Sequence, residues 1–198
     1  VPERVGVEGR RLKTRAFIAI NIAEPVQLEI DAAIAPLRQD YRDVKWVRRE
    51  NLHLTLKFLG DIDQGQVRRV EAALEGVCTL HRSFSIALRS VGGFPTLTRP
   101  KVLWIGVEND SAMRGLHRDI DARLSDAGFA REDKPWAAHL TIGRLRDGGN
   151  AIGLMEKLTS LKTQDFGLSP VSTIDFMSSE LKPGGPIYSV MRKFPLKG

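Results

Sequence analysis

The sequence predicts an α+β fold of two similar lobes, and three observations lead to it. The stretch His53-Leu54-Thr55-Leu56-Lys57-Phe58-Leu59-Gly60 returns as His139-Leu140-Thr141-Ile142-Gly143-Arg144-Leu145-Arg146, 139 − 53 = 86 residues later and close to half the 198-residue chain. Strand-like runs stand beside other strand-like runs as well as beside helices, which favours antiparallel pairing. Each half has the same strand and helix plan without a glycine-rich phosphate loop, so a doubly wound parallel sheet is not indicated.

In chain order, Thr14 to Ile22 is an apolar run rich in Ile and Phe, as in a buried strand, and Pro25 opens a helix at its first turn. Val26, Ile30, Ala33 and Leu37 give that helix one apolar face. Val44 to Val47 is a short strand with Trp46, and the polar break Arg48 to Asn51 delivers the chain into the first repeat. Asp63 and Gln66 have capping-box spacing ahead of Val67, Val70, Leu74 and Val77, a second helix. Phe84, Ile86 and Leu88 alternate with polar neighbours up to a turn at Gly92-Gly93-Phe94-Pro95, and Val102 to Val107 forms a nearly continuous apolar strand.

The second half repeats this order. Asp110 or Ser111 caps a helix with the stripe Met113, Leu116, Ile120 and Leu124, which Gly128 ends. Pro135 and Trp136 lead into the second repeat, Asp147 to Asn150 turns the chain, and Ile152 to Leu161 is a weaker helix. Val171 to Met177 and Ile187 to Phe194 form a long hairpin around the loop Leu181 to Pro186. Trp46, Trp104 and Trp136 sit among apolar strand residues and are expected in the core. One bilobal domain is expected over residues 14–198, with residues 1–13 a poorly ordered extension.

Composition narrows the class. With 42% hydrophobic residues the chain can build one substantial core. No apolar run approaches the roughly 18 to 20 residues of a membrane span, no signal peptide precedes the first strand, and Cys78 is alone, so a cytoplasmic protein without a disulfide is expected. Lys and Arg outnumber Asp and Glu by 30 to 24, a balance that favours polyanionic partners, nucleic acid above all.

The repeat carries the chemistry. In an extended strand His and Thr of each copy share one face, while Leu54 and Leu56, or Leu140 and Ile142, share the other. Duplication of a fold alone would preserve the apolar alternation without preserving His and Thr opposite it. Two imidazoles across a cleft supply a general acid and a general base at neutral pH, and two threonine hydroxyls can donate to non-bridging phosphate oxygens, as phosphodiester chemistry requires. Lys57 falls on the face of His53 in a regular strand. Arg144 reaches the face of His139 if Gly143 permits a bulge, and Arg146 is a weaker candidate of the same kind. Phe94, in a loop after two glycines, is placed to stack on a base. No metal or other cofactor is implied, because neither repeat has a carboxylate or cysteine beside its histidine and Cys78-x-x-His81 lacks partners. His117 reads as a surface histidine.

These residues carry a resemblance. The paired His-Leu-Thr-Leu and His-Leu-Thr-Ile strands resemble the signature of the two-histidine phosphoesterase superfamily. HLTLKFLG, GGFPTLTRPKVLWIGV, HLTIGRLR and GGPIYSVMRKFPL resemble, more narrowly, the RNA 2′,3′-cyclic phosphodiesterase family, also called the 2′-5′ RNA ligase family, over about Thr14 to Leu196. The resemblance implies two antiparallel β-sheets lining a central groove, helices packed outside and pseudo-twofold symmetry. It implies metal-independent opening of a 2′,3′-cyclic phosphate at an RNA end to a 2′-phosphate, reversible as 2′-5′ ligation, with RNA as partner; a monomer is expected. It makes His53 the acid and His139 the base, Thr55 and Thr141 phosphate ligands, Arg144 the basic residue after the second motif, and Phe94 the base-stacking position. Ile142 and Gly143 stand where Leu and Ala are more usual. Two other readings compete: an enzyme of the same superfamily acting on a small cyclic nucleotide or ADP-ribose cyclic phosphate, and a non-catalytic RNA-binding module.

Overall fold

Strand β1 (Thr14–Asn21) is buried from Ala16 to Ile20, because it is hydrogen-bonded on both edges and covered on both faces. The computed structural model to which it belongs describes residues 13–96, 99–108, 111–133, 135–146, 153–183 and 185–198. Helix α1 (Glu24–Asp40) starts with Pro25 in its first turn and buries Val26, Ile30, Ile34 and Leu37, with Ala33 at the rim of the predicted face. Strand β2 (Val44–Trp46) and a 3-10 turn (Arg49–Asn51) lead to β3 (His53–Ile62). The predicted capping box starts α2 (Gln64–Cys78): the Gln66 N–H donates to Asp63 Oδ1 at 2.9 Å, and the Asp63 N–H donates to Gln66 Oε1 at 3.0 Å. Reciprocal capping satisfies two amide donors that the first helical turn otherwise leaves open.

Strands β4 (Phe84–Phe94) and β5 (Val102–Glu108), α3 (Ser111–Asp126), β6 (His139–Leu145), α4 (Leu154–Ser160), β7 (Asp165–Val171), β8 (Thr173–Lys182) and β9 (Gly185–Pro195) complete the chain. The predicted turn at Gly92-Gly93-Phe94-Pro95 is instead strand through Phe94, because both glycines stay paired with β5. Strand β7 was not expected: Gly167 and Pro170 interrupt its apolar alternation, and β7 tolerates both as an edge strand that pairs only with β4. The hairpin loop is shorter than predicted, since β8 runs to Lys182 and β9 begins at Gly185. The expected N-terminal extension up to residue 12, the cap at Asp110 and the turn at 147–150 lie outside the described residues.

All strands form one curled antiparallel sheet in the order β7-β4-β5-β6-β3-β1-β8-β9, with β2 attached to β6. It consists of two four-stranded halves, β7-β4-β5-β6 and β3-β1-β8-β9, which are the two expected sheets joined by a single residue pair, Leu54 opposite Leu140. Each half exchanges strands with the other: β4 leaves the N-terminal half for the sheet of β5 and β6, and β8 and β9 cross back to β1. The helices cover one face, α1 against β7, α4 against β4, and α2 and α3 against each other with β9 and β3 below. Between helices and sheet lies one contiguous apolar core, to which Leu54, Leu56, Leu140 and Ile142 belong. The opposite face carries a small separate cluster, Phe17, Ala19 and Met177 with Tyr188.

Candidate active site

The Leu54–Leu140 pair sets the geometry. In antiparallel strands opposite residues share a face and their neighbours take the other. With both leucines in the core, the same register directs His53 and Thr141 on one side, and Thr55 and His139 on the other, to the helix-free face. Four predicted side chains thus surround the local twofold axis, each histidine diagonal to the other. The neighbouring strands agree: Thr55 lies opposite Ala19 of β1, and Thr141 opposite Trp104 of β5.

The histidines are held alike. Nδ1 of His53 lies 2.7 Å from the carbonyl oxygen of Asn51, and Nδ1 of His139 lies 2.8 Å from that of Ala137. A carbonyl only accepts, so Nδ1 carries the proton and Nε2 is left to exchange one. Each ring also meets an aromatic edge to face: Tyr188 at 5.1 Å and 86° from His53, Phe94 at 5.1 Å and 88° from His139. Phe17 adds a tilted contact to His53 at 5.0 Å. Burial among these rings pushes the His53 imidazole below its usual pKa, against the raising effect of the Asn51 carbonyl.

Both strands bulge just past the threonine. Between Ile18 and Ala19 the partner residues jump from Lys57 to Thr55, and between Leu103 and Trp104 they jump from Gly143 to Thr141. One extra residue reverses the alternation. Leu56 and Lys57 consequently both face the core side, as do Ile142 and Gly143, while Phe58 and Arg144 return to the face of the histidines. Arg144 is therefore where the bulge reading put it. Gly143 is needed there, since a Cβ on it would lie 2.7 Å from Val44 Cγ1 and 3.2 Å from Trp46 Cε3. Lys57 is a correction. Its side chain is 3% exposed and pairs with Asp121 of α3 at 2.5 Å, so it does not share the groove face with His53. Arg146 lies past the end of β6, exposed, its N–H donating to the Asp43 carbonyl.

His117 and Trp104 also differ from expectation. His117 is half-buried, stacked on Trp136 at 4.3 Å and 11°, and desolvation lowers its pKa despite nearby Glu132 and Asp121. Trp136 sits at the core edge and donates from Nε1 to the Thr55 carbonyl at 3.3 Å, which ties the approach to His139 to the strand of His53. Trp104 lies on the groove face 5.3 Å from Phe94, over Gly92. Phe94 is part-exposed at the end of β4, beside His139 as its candidacy requires. Cys78 is buried and His81 pairs with Asp119 at 2.9 Å, so the two do not converge. Tyr188 was missed, although it lies within the GGPIYSV segment. Only the return of β8 to β1, which carries β9 along its other edge and is invisible in local sequence, brings it to His53.

The arrangement provides two imidazoles with fixed tautomers and two hydroxyls about the Leu54–Leu140 pair, the Arg144 guanidinium farther along the same face, and aromatic rings at either side. Such a set can move a proton on each side of a bound phosphate. A cavity of about 530 Å³ adjoins it between β2 and the β8–β9 hairpin, lined in part by Arg144, Asn51 and Tyr188. No helix among the described residues is long and apolar enough to cross a membrane.

Known proteins are similar to this chain in sequence and architecture. The family described as LigT-like phosphoesterase matches residues 20–104. The RNA 2′,3′-cyclic phosphodiesterase of Methanothermobacter thermautotrophicus is 35% identical over 185 residues, 93% of this chain and 100% of that protein. The protein of the same name from Methanocaldococcus jannaschii is 32% identical, over 91% of this chain and 99% of its own length. Among solved structures, a protein of Thermus thermophilus superimposes with a TM-score of 0.77 at 28% identity, covering 93% of this chain and 98% of the other.

Proposed function

The chain belongs to the LigT-like phosphoesterases, and on that premise we propose that it is an RNA 2′,3′-cyclic phosphodiesterase that converts a 2′,3′-cyclic phosphate at an RNA end to a 2′-phosphate without a metal ion. The observation that carries the proposal is the crossed placement of His53, Thr55, His139 and Thr141 about the single Leu54–Leu140 pair. The names of the relatives at 30% identity and above support the substrate.

In this mechanism Nε2 of His139 takes a proton from water as the water oxygen attacks phosphorus. The bond from phosphorus to the 3′ oxygen breaks, and Nε2–H of His53 gives its proton to that oxygen, leaving a 2′-phosphate and a 3′ hydroxyl. Thr55 and Thr141 donate to the non-bridging oxygens, and Arg144 offsets the charge that develops there. The buried His53 gains its proton most readily with the phosphate anion beside it, since the anion favours the charged ring that burial disfavours. Run backwards, with the two roles exchanged, the same site would join 2′-5′ ends.

The test is product analysis of an oligoribonucleotide ending in a 2′,3′-cyclic phosphate, in excess EDTA, for the wild type, His53→Ala and His139→Ala. Conversion to a 2′-phosphate, with each variant slowed at least about 100-fold, is the expected result. RNA binding without turnover, unchanged in both variants, would leave only a binding module. Turnover of small cyclic nucleotides with none of RNA ends would move the substrate to the smaller class.

A further inference from the structure

The cavity beside His53 is more basic than one cyclic phosphate requires. Its lining holds Lys45, Arg48, Arg144 and Lys182, and no carboxylate lies among its described lining side chains. Lys45 of β2 stands directly opposite Arg144 of β6 in an antiparallel register. Like charges set face to face across two strands are unfavourable unless something lies between them. Among the described residues neither they nor Arg48 form an ion pair, whereas Lys182 meets Glu180. The rest of the lining is apolar or aromatic: Trp46, Tyr188, and the exposed Leu181 and Ile187 at the hairpin tip. Cations around a centre, apolar walls and a volume of about 530 Å³ suit a whole nucleotide better than a free inorganic anion.

The cavity's position orders the substrate. Phe94 lies against His139 with Trp104 packed on Phe94, while Tyr188 and the Asn51 carbonyl join the cavity to His53. With the terminal base on the aromatic pair at His139 and its cyclic phosphate between the histidines, the cavity is left for what precedes that nucleoside. We propose that it is a subsite for the adjoining 5′ phosphodiester and nucleotide, bound chiefly through Lys45 and Arg48. The chain then selects oligoribonucleotide ends over cyclic mononucleotides. This rests on the function proposed above and specifies its substrate class.

The test separates the two by measuring binding as well as turnover. Dissociation constants are compared for a trinucleotide ending in a 2′-phosphate and for adenosine 2′-phosphate, by calorimetry at fixed salt, in wild type, Lys45→Ala, Arg48→Ala and Lys45→Arg. The trinucleotide is expected to bind at least about tenfold more tightly. Each alanine should lower the trinucleotide-to-mononucleotide ratio about three- to tenfold and Lys45→Arg should restore it, as loss of one phosphate contact predicts. Equal affinity for both ligands in the wild type would overturn the subsite, as would alanine variants that weaken both ligands alike. A mononucleotide with both 2′- and 5′-phosphates that binds as well as the trinucleotide would overturn selection for a longer chain. Length-dependent binding in a protein that hydrolyses no cyclic phosphate would uphold the subsite and remove the proposed catalysis.

Discussion

Gly92→Ala isolates the aromatic support of His139. A Cβ at residue 92 would lie 2.1 Å from Trp104 Cζ2, 2.2 Å from Cη2 and 2.6 Å from Cε2. Carbon atoms in ordinary contact stand about 3.4 Å apart or more, so the indole must shift by at least about 1.3 Å. Residue 92 does not have a left-handed backbone, which leaves sterics as the cause. Trp104 supports Phe94 at 5.3 Å, and Phe94 contacts the His139 ring at 5.1 Å, so the shift passes directly to the proposed base. Overpacking of this kind costs about 1 to 3 kcal/mol, and a misplacement of about 1 Å near reacting groups costs on the order of 100-fold in rate. Thermal unfolding should show a Tm lowered by about 2 to 10 °C, and kcat/KM on the cyclic-phosphate oligonucleotide should fall about 10- to 100-fold. Adding Trp104→Leu should restore most of the stability but not the activity, because the space is relieved while the platform is lost. Wild-type kcat/KM in Gly92→Ala with a lowered Tm would refute the positioning argument, and an unchanged Tm would refute the packing argument.

Two further outcomes follow from charges behind and within the groove. Lys57→Met leaves the Asp121 carboxylate, 18% exposed, without its cation and should destabilise the fold by about 3 kcal/mol in urea unfolding, most of it recovered in Lys57→Met/Asp121→Leu. Burial raises the Asp121 pKa, but the Lys57 hydrogen bond and charge and the Glu132 amide hold it below its usual value. The wild type therefore loses this contribution as pH falls through the folded pKa, and the single variant should show a weaker acid dependence; an unchanged acid limb would sink the assignment. For His53, lowered in the free protein and favoured as imidazolium beside phosphate, an acid role means activity is lost as pH rises through its pKa. The alkaline limb of kcat/KM should thus lie at lower pH than that of kcat, and His53→Ala should abolish that limb; coincident limbs would exclude His53 as the group that binding reprotonates.

The sequence by itself determined the four central residues, because His and Thr two apart on a strand must share a face and Leu54 and Leu140 supply the apolar side that orients it. It also determined the main helices through their apolar stripes and the Asp63 cap, features that arise within a few residues of chain. The Arg144 bulge was legible because Gly143 marks it. The matching bulge at Leu56 and Lys57 has no glycine, and regular alternation placed Lys57 on the wrong face. What only the tertiary structure decided depends on strand exchange: Tyr188 beside His53, and the cavity between β2 and the β8–β9 hairpin. Those contacts join segments far apart in the chain, and local periodicity records which face a residue takes but not which distant strand comes to lie beside it.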